Sequence, residues 1–261
     1  SSIIMVKVKV FDMPEDSKRA AVDAPKTDSK SFKEIVNSRR SVRFFSNDPI
    51  PQAVIDDCID SALLAPNSSN LQCWEIHHVS DADKKAKLAE YCLGQPAAST
   101  AQELFVFVTR PDLWKRNNQL ILDEFDRRGN MPESAYQYFR VITKMAYTIG
   151  WFGVLAPIKW LFFSLRGLTQ PTPRGPLGKW GMKVWGHKST ALACAHFMLA
   201  MRSHGFDTCP MEGFDNVRVK KLLGLPRGAD VTMVISAGKR AEGGIYGDRF
   251  RFDKSLTVKK H

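Results

Sequence analysis

Helices and strands alternate irregularly along this chain, and that order constrains the fold more than any other feature of its 261 residues. Trp74 to Val79, Leu104 to Thr109 and Val231 to Ala237 are short runs rich in β-branched and aromatic residues, which predicts strands. Helical stretches separate them, so no two of the three can close a tight hairpin. Regular βαβ winding does not develop either, and the class expected is α+β. The spacing predicts a helix from Ser31, where Ser31 and Glu34 form a capping box, to about Ser38. Pro51 opens a second helix as its first residue, with Ile55, Cys58, Ile59, Ala62 and Leu63 as its apolar stripe. Pro66 stops it, and Asn67 to Asn70 must be a loop. Further helices are expected over Asp81 to Leu93, in pieces over Leu120 to Phe125 and Tyr136 to Phe163, and over His187 to His204. In the last, Ala191, Ala195 and Ala200 leave room for close packing, and Gly205 is placed as the C-terminal cap. A Pro/Gly-rich connector, Gln170 to Gly181, precedes it. Cys209 to Gly213 reads as a turn, followed by a short helix that starts at Asp215 and stops at Gly224.

Residues 1–30 read as an extended arm, with Ile3, Val6, Val8 and Val10 suggesting a strand. Residues 31–261 read as one domain with a helical, aromatic-rich insertion at about 112–186. Apolar residues make up 44% and charged residues 25%, the balance of a globular chain. The net charge of +11 favours anionic partners. The basic residues are scattered, with no block of five and no nucleic-acid-binding motif, so nucleic acid is not expected as a partner. Cys58, Cys73, Cys92, Cys194 and Cys209 are odd in number and form no C-x-x-C, which fits free thiols in a reducing cytoplasm. The histidines show no metal-ligand spacing, and no metal is expected. No signal peptide is read at the first residues. Met145 to Ile158 carries no charge, yet it falls short of the ~20 apolar residues of a membrane span. A kinked buried helix, or one facing a partner, is the favoured reading over a shallow interfacial helix.

No G-x-G-x-x-G, Walker A or G-x-S-x-G motif occurs. What stands out is Arg39-Arg40-Ser41-Val42-Arg43, directly after a helix. Several guanidiniums and a hydroxyl within five residues can wrap a phosphate, because each planar fork donates two parallel charge-assisted bonds. Arg249 and Arg251 lie on the same side of an extended tail. Pro66-Asn67-Ser68-Ser69-Asn70-Leu71-Gln72-Cys73-Trp74 offers a dense set of amides and hydroxyls, and Cys209-Pro210-Met211-Glu212-Gly213-Phe214-Asp215 a tight backbone turn.

Together these segments resemble the nitroreductase family of flavoproteins, from about Phe32 to Ser255. Arg39 to Phe44 matches the family's R-R-S-x-R-x-F opening; Asn67 and Cys73 depart from its A-P-S-S-x-N-x-Q-P-W loop. The resemblance implies an α+β sandwich with a central, mainly antiparallel sheet flanked by helices, assembled as an intertwined homodimer with FMN at the interface. It implies that Arg39, Arg40, Ser41, Arg43, Arg249 and Arg251 serve the FMN phosphate and ribityl arm. Pro66, Asn67, Ser68 and Asn70 would reach the ring from the partner chain, and Gln95 would meet its pyrimidine edge. Met211, Glu212 and Gly213 would form the turn whose backbone N–H faces flavin N5. NADH or NADPH would be the transient electron donor, in a ping-pong reduction of a nitroaromatic, quinone or similar flat acceptor, with no obligatory protein acid or base. Tyr136 and Trp151, from the aromatic-rich region, are candidates for contacting that acceptor. Two alternatives stay open. One is another reaction on the same fold, a reductive dehalogenase or other flavin-dependent dehydrogenase. The other is a basic module without catalysis that binds a membrane or nucleic acid.

Overall fold

A computed structural model describes residues 24–150 and 153–261. The expected strand over Ile3 to Val10 lies outside the described residues, as does Trp151.

The core is a four-stranded sheet in the order β1-β2-β4-β3, with every pairing antiparallel. Its strands are β1 (Trp74–Val79), β2 (Glu103–Thr109), β3 (Asp207–Met211) and β4 (Asp230–Gly238). β2 shows why the sheet is covered on both faces. Successive side chains of a strand point to opposite sides, and here both sets are apolar and fully buried. Leu104, Val106 and Val108 enter one core with Leu88, Cys92, Val219 and Val234. Phe105 and Phe107 enter the other with Ile55, Cys58, Phe197, Met201 and Ile235. Phe197 meets both rings, at centroid distances of 4.7 and 5.4 Å. The α+β sandwich with an antiparallel sheet is therefore as expected.

Three strands fall within a residue of expectation; β3 does not, since Cys209 to Met211 was expected in a turn. Pro210 hides this strand. β3 is an edge strand, and an edge tolerates a residue with no N–H to give.

Helix α1 spans Ser29–Ser38, and its cap is Asp28 rather than Ser31. The Asp28 carboxylate accepts from the N–H groups of Lys30 and Ser31 at 3.0 and 3.3 Å, leaving Ser31 inside the helix. Helix α2 (Gln52–Leu63) takes Pro51 as its cap residue rather than its first turn, and Leu63 is exposed, so the buried stripe is Ile55, Cys58 and Ala62. Helices α3 (Ala82–Tyr91), capped by Asp81, and α4 (Pro96–Ser99) lead into β2. Helix α5 (Trp114–Arg128) extends well beyond the expected Leu120 to Phe125. Next come α6 (Glu133–Gln137), a π-turn over Tyr138–Ile142, α7 (Thr143–Tyr147) and α8 (Leu155–Arg166). The apolar run is thus broken at Thr148, which is extended, rather than kinked at Pro157. Pro157 sits in the first turn of α8, where its missing N–H costs nothing. No residue of α8 is buried, which corrects the expectation of a core helix.

Helix α9 (Gly178–Ser203) starts nine residues before the expected His187 and ends with Gly205 in the left-handed region, as expected. Its close approach to the sheet is not at Ala195, which is exposed. It is at Gly186, where a Cβ would stand 2.2 Å from Thr109 Oγ1 in β2. Helix α10 (Asn216–Leu222), capped by Asp215, precedes β4, and the tail ends in α11 (Lys254–Thr257).

Candidate functional site

The site is built by backbone pairing between segments far apart in sequence. After α1 the chain runs extended beside β3. Ser41 bridges Thr208, and the Val42 N–H donates to the Thr208 carbonyl at 3.1 Å. The segment after β4 doubles back along its other edge. Phe45 bridges Arg240, Arg43 N–H donates to the Gly244 carbonyl at 2.7 Å, and Ala241 N–H donates to the Phe44 carbonyl at 3.0 Å. The approach is so close that a Cβ on Gly244 would stand 2.6 Å from the Phe44 carbonyl oxygen. A buried charge cluster fixes the junction. Asp207, almost wholly enclosed, accepts from Arg202 at 2.7 Å and from Arg240 at 2.6 and 2.8 Å. Arg240 also donates to the Ser38 carbonyl at the end of α1, at 3.1 Å.

Between these walls lies a depression of about 290 Å³. Arg39, Arg40, Ser41 and Arg43 line one side; Tyr246, Asp248, Arg249 and Arg251 are on the other. The structure therefore brings together all six residues expected to serve a phosphate. It also divides their work. In an extended segment residues 39, 41 and 43 share a face, and their side chains donate no hydrogen bond among the described residues. Arg43 only lies over the Tyr246 ring, 6.0 Å from its centroid. Arg40 turns away to the Gly247 carbonyl, and Arg249 to the Arg39 carbonyl, so these two stitch the walls together. None of the five arginines is ion-paired among the described residues. Burial lowers the pKa of Arg39, and the neighbouring Arg249, Arg251 and Arg40 lower it further.

The second group assembles at the far end of β3. Gln95 Nε2 donates to the Cys92 carbonyl at 2.9 Å and to the Gly213 carbonyl at 3.2 Å, which joins Gln95 to the expected turn after Met211. The backbone N–H groups of Glu212 and Gly213 donate to no acceptor among the described residues. With a strand rise of 3.3 Å per residue, Thr208, beside Ser41, and Glu212 are about 13 Å apart along β3. Glu212 also borders a second depression, of about 420 Å³, walled by His187 of α9 and by Asn216, Asp230 and Thr232. There Asp230 accepts from Asn216 at 3.0 Å and pairs with Lys183 and His187, each at 3.3 Å. Burial pushes the Asp230 carboxyl up, but these partners together hold it below its ordinary pKa.

The third group, the loop Pro66 to Asn70, stands apart from both in this chain. Ser68 and Ser69 meet the Tyr147 hydroxyl at 3.1 and 2.8 Å, and Ser68 N–H donates to Ser189 Oγ on α9 at 3.3 Å. Ser69, Asn70 and Gln72 all carry positive φ. Asn117 holds this strained loop by donating to the Leu71 carbonyl at 2.7 Å. Asn117, the Asp207 cluster and the Asp230 cluster had no local sequence signal, because each pairs residues distant in the chain. Tyr136 packs against α5, its hydroxyl 3.0 Å from Asp126 and its ring under Arg140. All five cysteines are free and buried.

The model of the Nitroreductase family matches residues 36–239, which spans both the arginine segment and the Glu212 turn. The chain belongs to the nitroreductase family. Within the curated relatives, it is 28% identical over 216 residues to the NADH dehydrogenase of Thermus thermophilus, covering 83% of this chain and 90% of that one. It is 24% identical over 212 residues to iodotyrosine deiodinase 1 of Homo sapiens, covering 80% of this chain and 61% of that one. Among solved structures, a protein from Exiguobacterium sibiricum in complex with FMN shares the fold at a TM-score of 0.64 and 22% identity, over 92% of this chain and all of that one.

Proposed function

We propose that this nitroreductase-family member is an FMN-dependent oxidoreductase that takes electrons from NADH or NADPH and delivers them to a flat acceptor, a quinone or nitroaromatic. The observation that carries the reading is the pairing of an arginine cluster, with no ion pair among the described residues, with an open turn on one sheet edge. The residues fit the cofactor on their own chemistry. Arg39, Ser41 and Arg43 present free donors to a dianionic phosphate, with Arg251 on the opposite wall. The ~13 Å from Thr208 to Glu212 suits a ribityl arm followed by a ring. At the ring, the Glu212 and Gly213 N–H groups offer donors to a nitrogen that gains negative charge on reduction, with Gln95 beside them. When bound, the flavin supplies the two-electron chemistry. The chain's part is to bind, orient and stabilise charge; Cys58, Cys73 and Cys92 are pushed up to about 12 by burial and so stay protonated near neutral pH.

The working unit is a homodimer in this reading. Helix α1 turns Phe32 and Val36 outward and buries none of its residues, and the tail exposes Phe250, Phe252, Leu256 and Val258. A second chain wrapping these surfaces would also bring its own Pro66, Asn67, Ser68 and Asn70 within reach of this chain's ring site.

The test is direct. The purified protein is expected to be yellow, to bleach with NAD(P)H anaerobically, to recolour on adding a quinone or nitroaromatic, and to elute as a dimer. A colourless protein that takes up no FMN would overturn the proposal. The similarity to iodotyrosine deiodinase 1 supports a second reading, reductive dehalogenation. It gains if the reduced protein is reoxidised by a halogenated tyrosine and by neither other acceptor.

A further inference from the structure

Helix α8 is amphipathic the wrong way round for a helix at the surface of a protein in water. Its half-covered side is Ala156, Lys159, Phe163 and Gly167, and Lys159 is tied inward to the Ala146 carbonyl at 3.1 Å. The opposite side, Val154, Ile158, Leu161 and Leu165 at helical spacing, is the outward face. Half or more of each of these side chains is exposed, and the same holds for Trp160 and Phe162 beside them. A contiguous apolar face of this kind marks an interaction surface.

The charge around it is equally one-sided. From Ser134 to Phe206 the sequence contains nine Lys and Arg and no Asp or Glu. Two of the nine, Lys183 and Arg202, are ion-paired with Asp230 and Asp207; the other seven have no carboxylate partner among the described residues. Arg166, Arg174 and Lys179 are exposed beside or just beyond α8, and Trp180, also exposed, opens α9. We propose that α8 and the connector to α9 dock this protein on an anionic membrane surface, with the outward face of α8 lying among the lipid headgroups.

Three observations select a bilayer over a second copy of the chain. Packing α8 against its own twofold mate would set two copies of Arg166, Arg174 and Lys179 near each other, none of which has a carboxylate partner among the described residues. A lipid headgroup layer supplies the missing negative charge. The exposed indoles of Trp160 and Trp180 suit the boundary between headgroup and hydrocarbon. Length excludes spanning: twelve residues make about 18 Å of helix against ~30 Å of hydrocarbon. No helix among the described residues is long and apolar enough to cross a membrane.

Flotation of the full, flavin-loaded chain with lipid vesicles tests this. Binding is expected to phosphatidylcholine vesicles containing phosphatidylglycerol, and to weaken with salt and with removal of the anionic lipid. Ile158→Glu with Leu161→Glu should cut vesicle binding by about tenfold or more, since it removes the inserted face. Arg166→Glu with Lys179→Glu, which leaves that face intact, should do the same on anionic vesicles by about tenfold. Flavin content and melting temperature report whether each variant is folded. Absence of flotation, or binding that survives both substitutions, overturns the proposal. So does a change in oligomeric state or acceptor KM in the Ile158/Leu161 variant with no change in flotation, which would assign α8 to the dimer or to the active-site roof.

Discussion

Gly244→Ala tests whether the arginine cradle depends on backbone fit. The new Cβ would stand 2.6 Å from the Phe44 carbonyl oxygen and 2.9 Å from that of Ala241. Both obstacles are main-chain atoms, so no side-chain rotation relieves the clash, and the two walls must separate. Three hydrogen bonds close the contact: Arg43 N–H to Gly244, Ala241 N–H to Phe44, and Gly244 N–H to Ala241, at 2.7, 3.0 and 3.0 Å. At a net ~1 kcal/mol each, losing two costs about 2 kcal/mol. The stiffening of the unfolded chain by alanine returns at most half of that, ~0.4–1 kcal/mol. Because both walls carry arginines of the cradle, the loss should fall on anion binding. The net ~1–1.6 kcal/mol should drop FMN affinity by roughly five- to fifteen-fold, with turnover recovering at saturating FMN. Titration of the apoprotein by flavin fluorescence quenching measures the first, and steady-state assays with excess FMN the second. An FMN affinity within about twofold of the parent, in a protein of unchanged melting temperature, would refute the reasoning.

Other consequences are open to simpler tests. Arg43→Ala combined with Arg251→Ala should weaken FMN binding by ~100-fold or more, at ~1.5 kcal/mol or more for each charge-assisted contact; full flavin retention on gel filtration would misplace the phosphate. Phe197→Ala, which removes the ring meeting both Phe105 and Phe107, should cost about 3–5 kcal/mol in urea unfolding. Burial raises Cys58, Cys73 and Cys92 from 9.0 to about 12 in the folded chain, so the native state holds protons the unfolded state releases. Their contribution to stability is therefore whole below pH ~9 and declines as pH rises toward ~12. Urea midpoints at rising pH should show a shallower decline in Cys92→Ala than in the parent; parallel declines would count against this origin.

β2 was legible because Leu104 to Val108 is a continuous apolar run, whose burial on both faces needs no knowledge of the rest of the fold; β1 and β4 were legible from their β-branched and aromatic residues. β3 was hidden by Pro210, which removes a ladder donor; its position at the sheet edge, a property of the assembled sheet, is what makes that harmless. The start of α9 was obscured in the same way. Gly178, Gly181 and Gly186 read locally as breakers, yet Gly186 is where the helix needs a missing side chain to lie against Thr109. The uncharged run from Met145 to Ile158 marked an apolar segment leading into α8 but could not say which way it turns, because that depends on whether neighbouring elements cover it. The Arg39–Arg43 cluster was visible as a run. Its clamp was not, since Asp207 and Arg240 lie 33 residues apart and meet only through the β3–β4 pairing.

That pairing also explains why arginine density and phosphate binding are not the same property. Arg40 and Arg249 donate to carbonyls across the depression, so two of its positive charges cross-link its walls. The β-type alternation of residues 39, 41 and 43 then leaves three side chains on the open side that donate no hydrogen bond among the described residues. Burial first, and then the neighbouring guanidiniums of Arg249, Arg251 and Arg40, lower the pKa of Arg39. Asp207 does not relieve that repulsion, for its carboxylate is occupied by Arg202 and Arg240. Its effect is mechanical: it fixes the end of α1, the start of β3 and the exit of β4 at one point. The depression is thus kept in shape by one buried carboxylate, and none of its own five arginines is neutralised by an ion pair among the described residues.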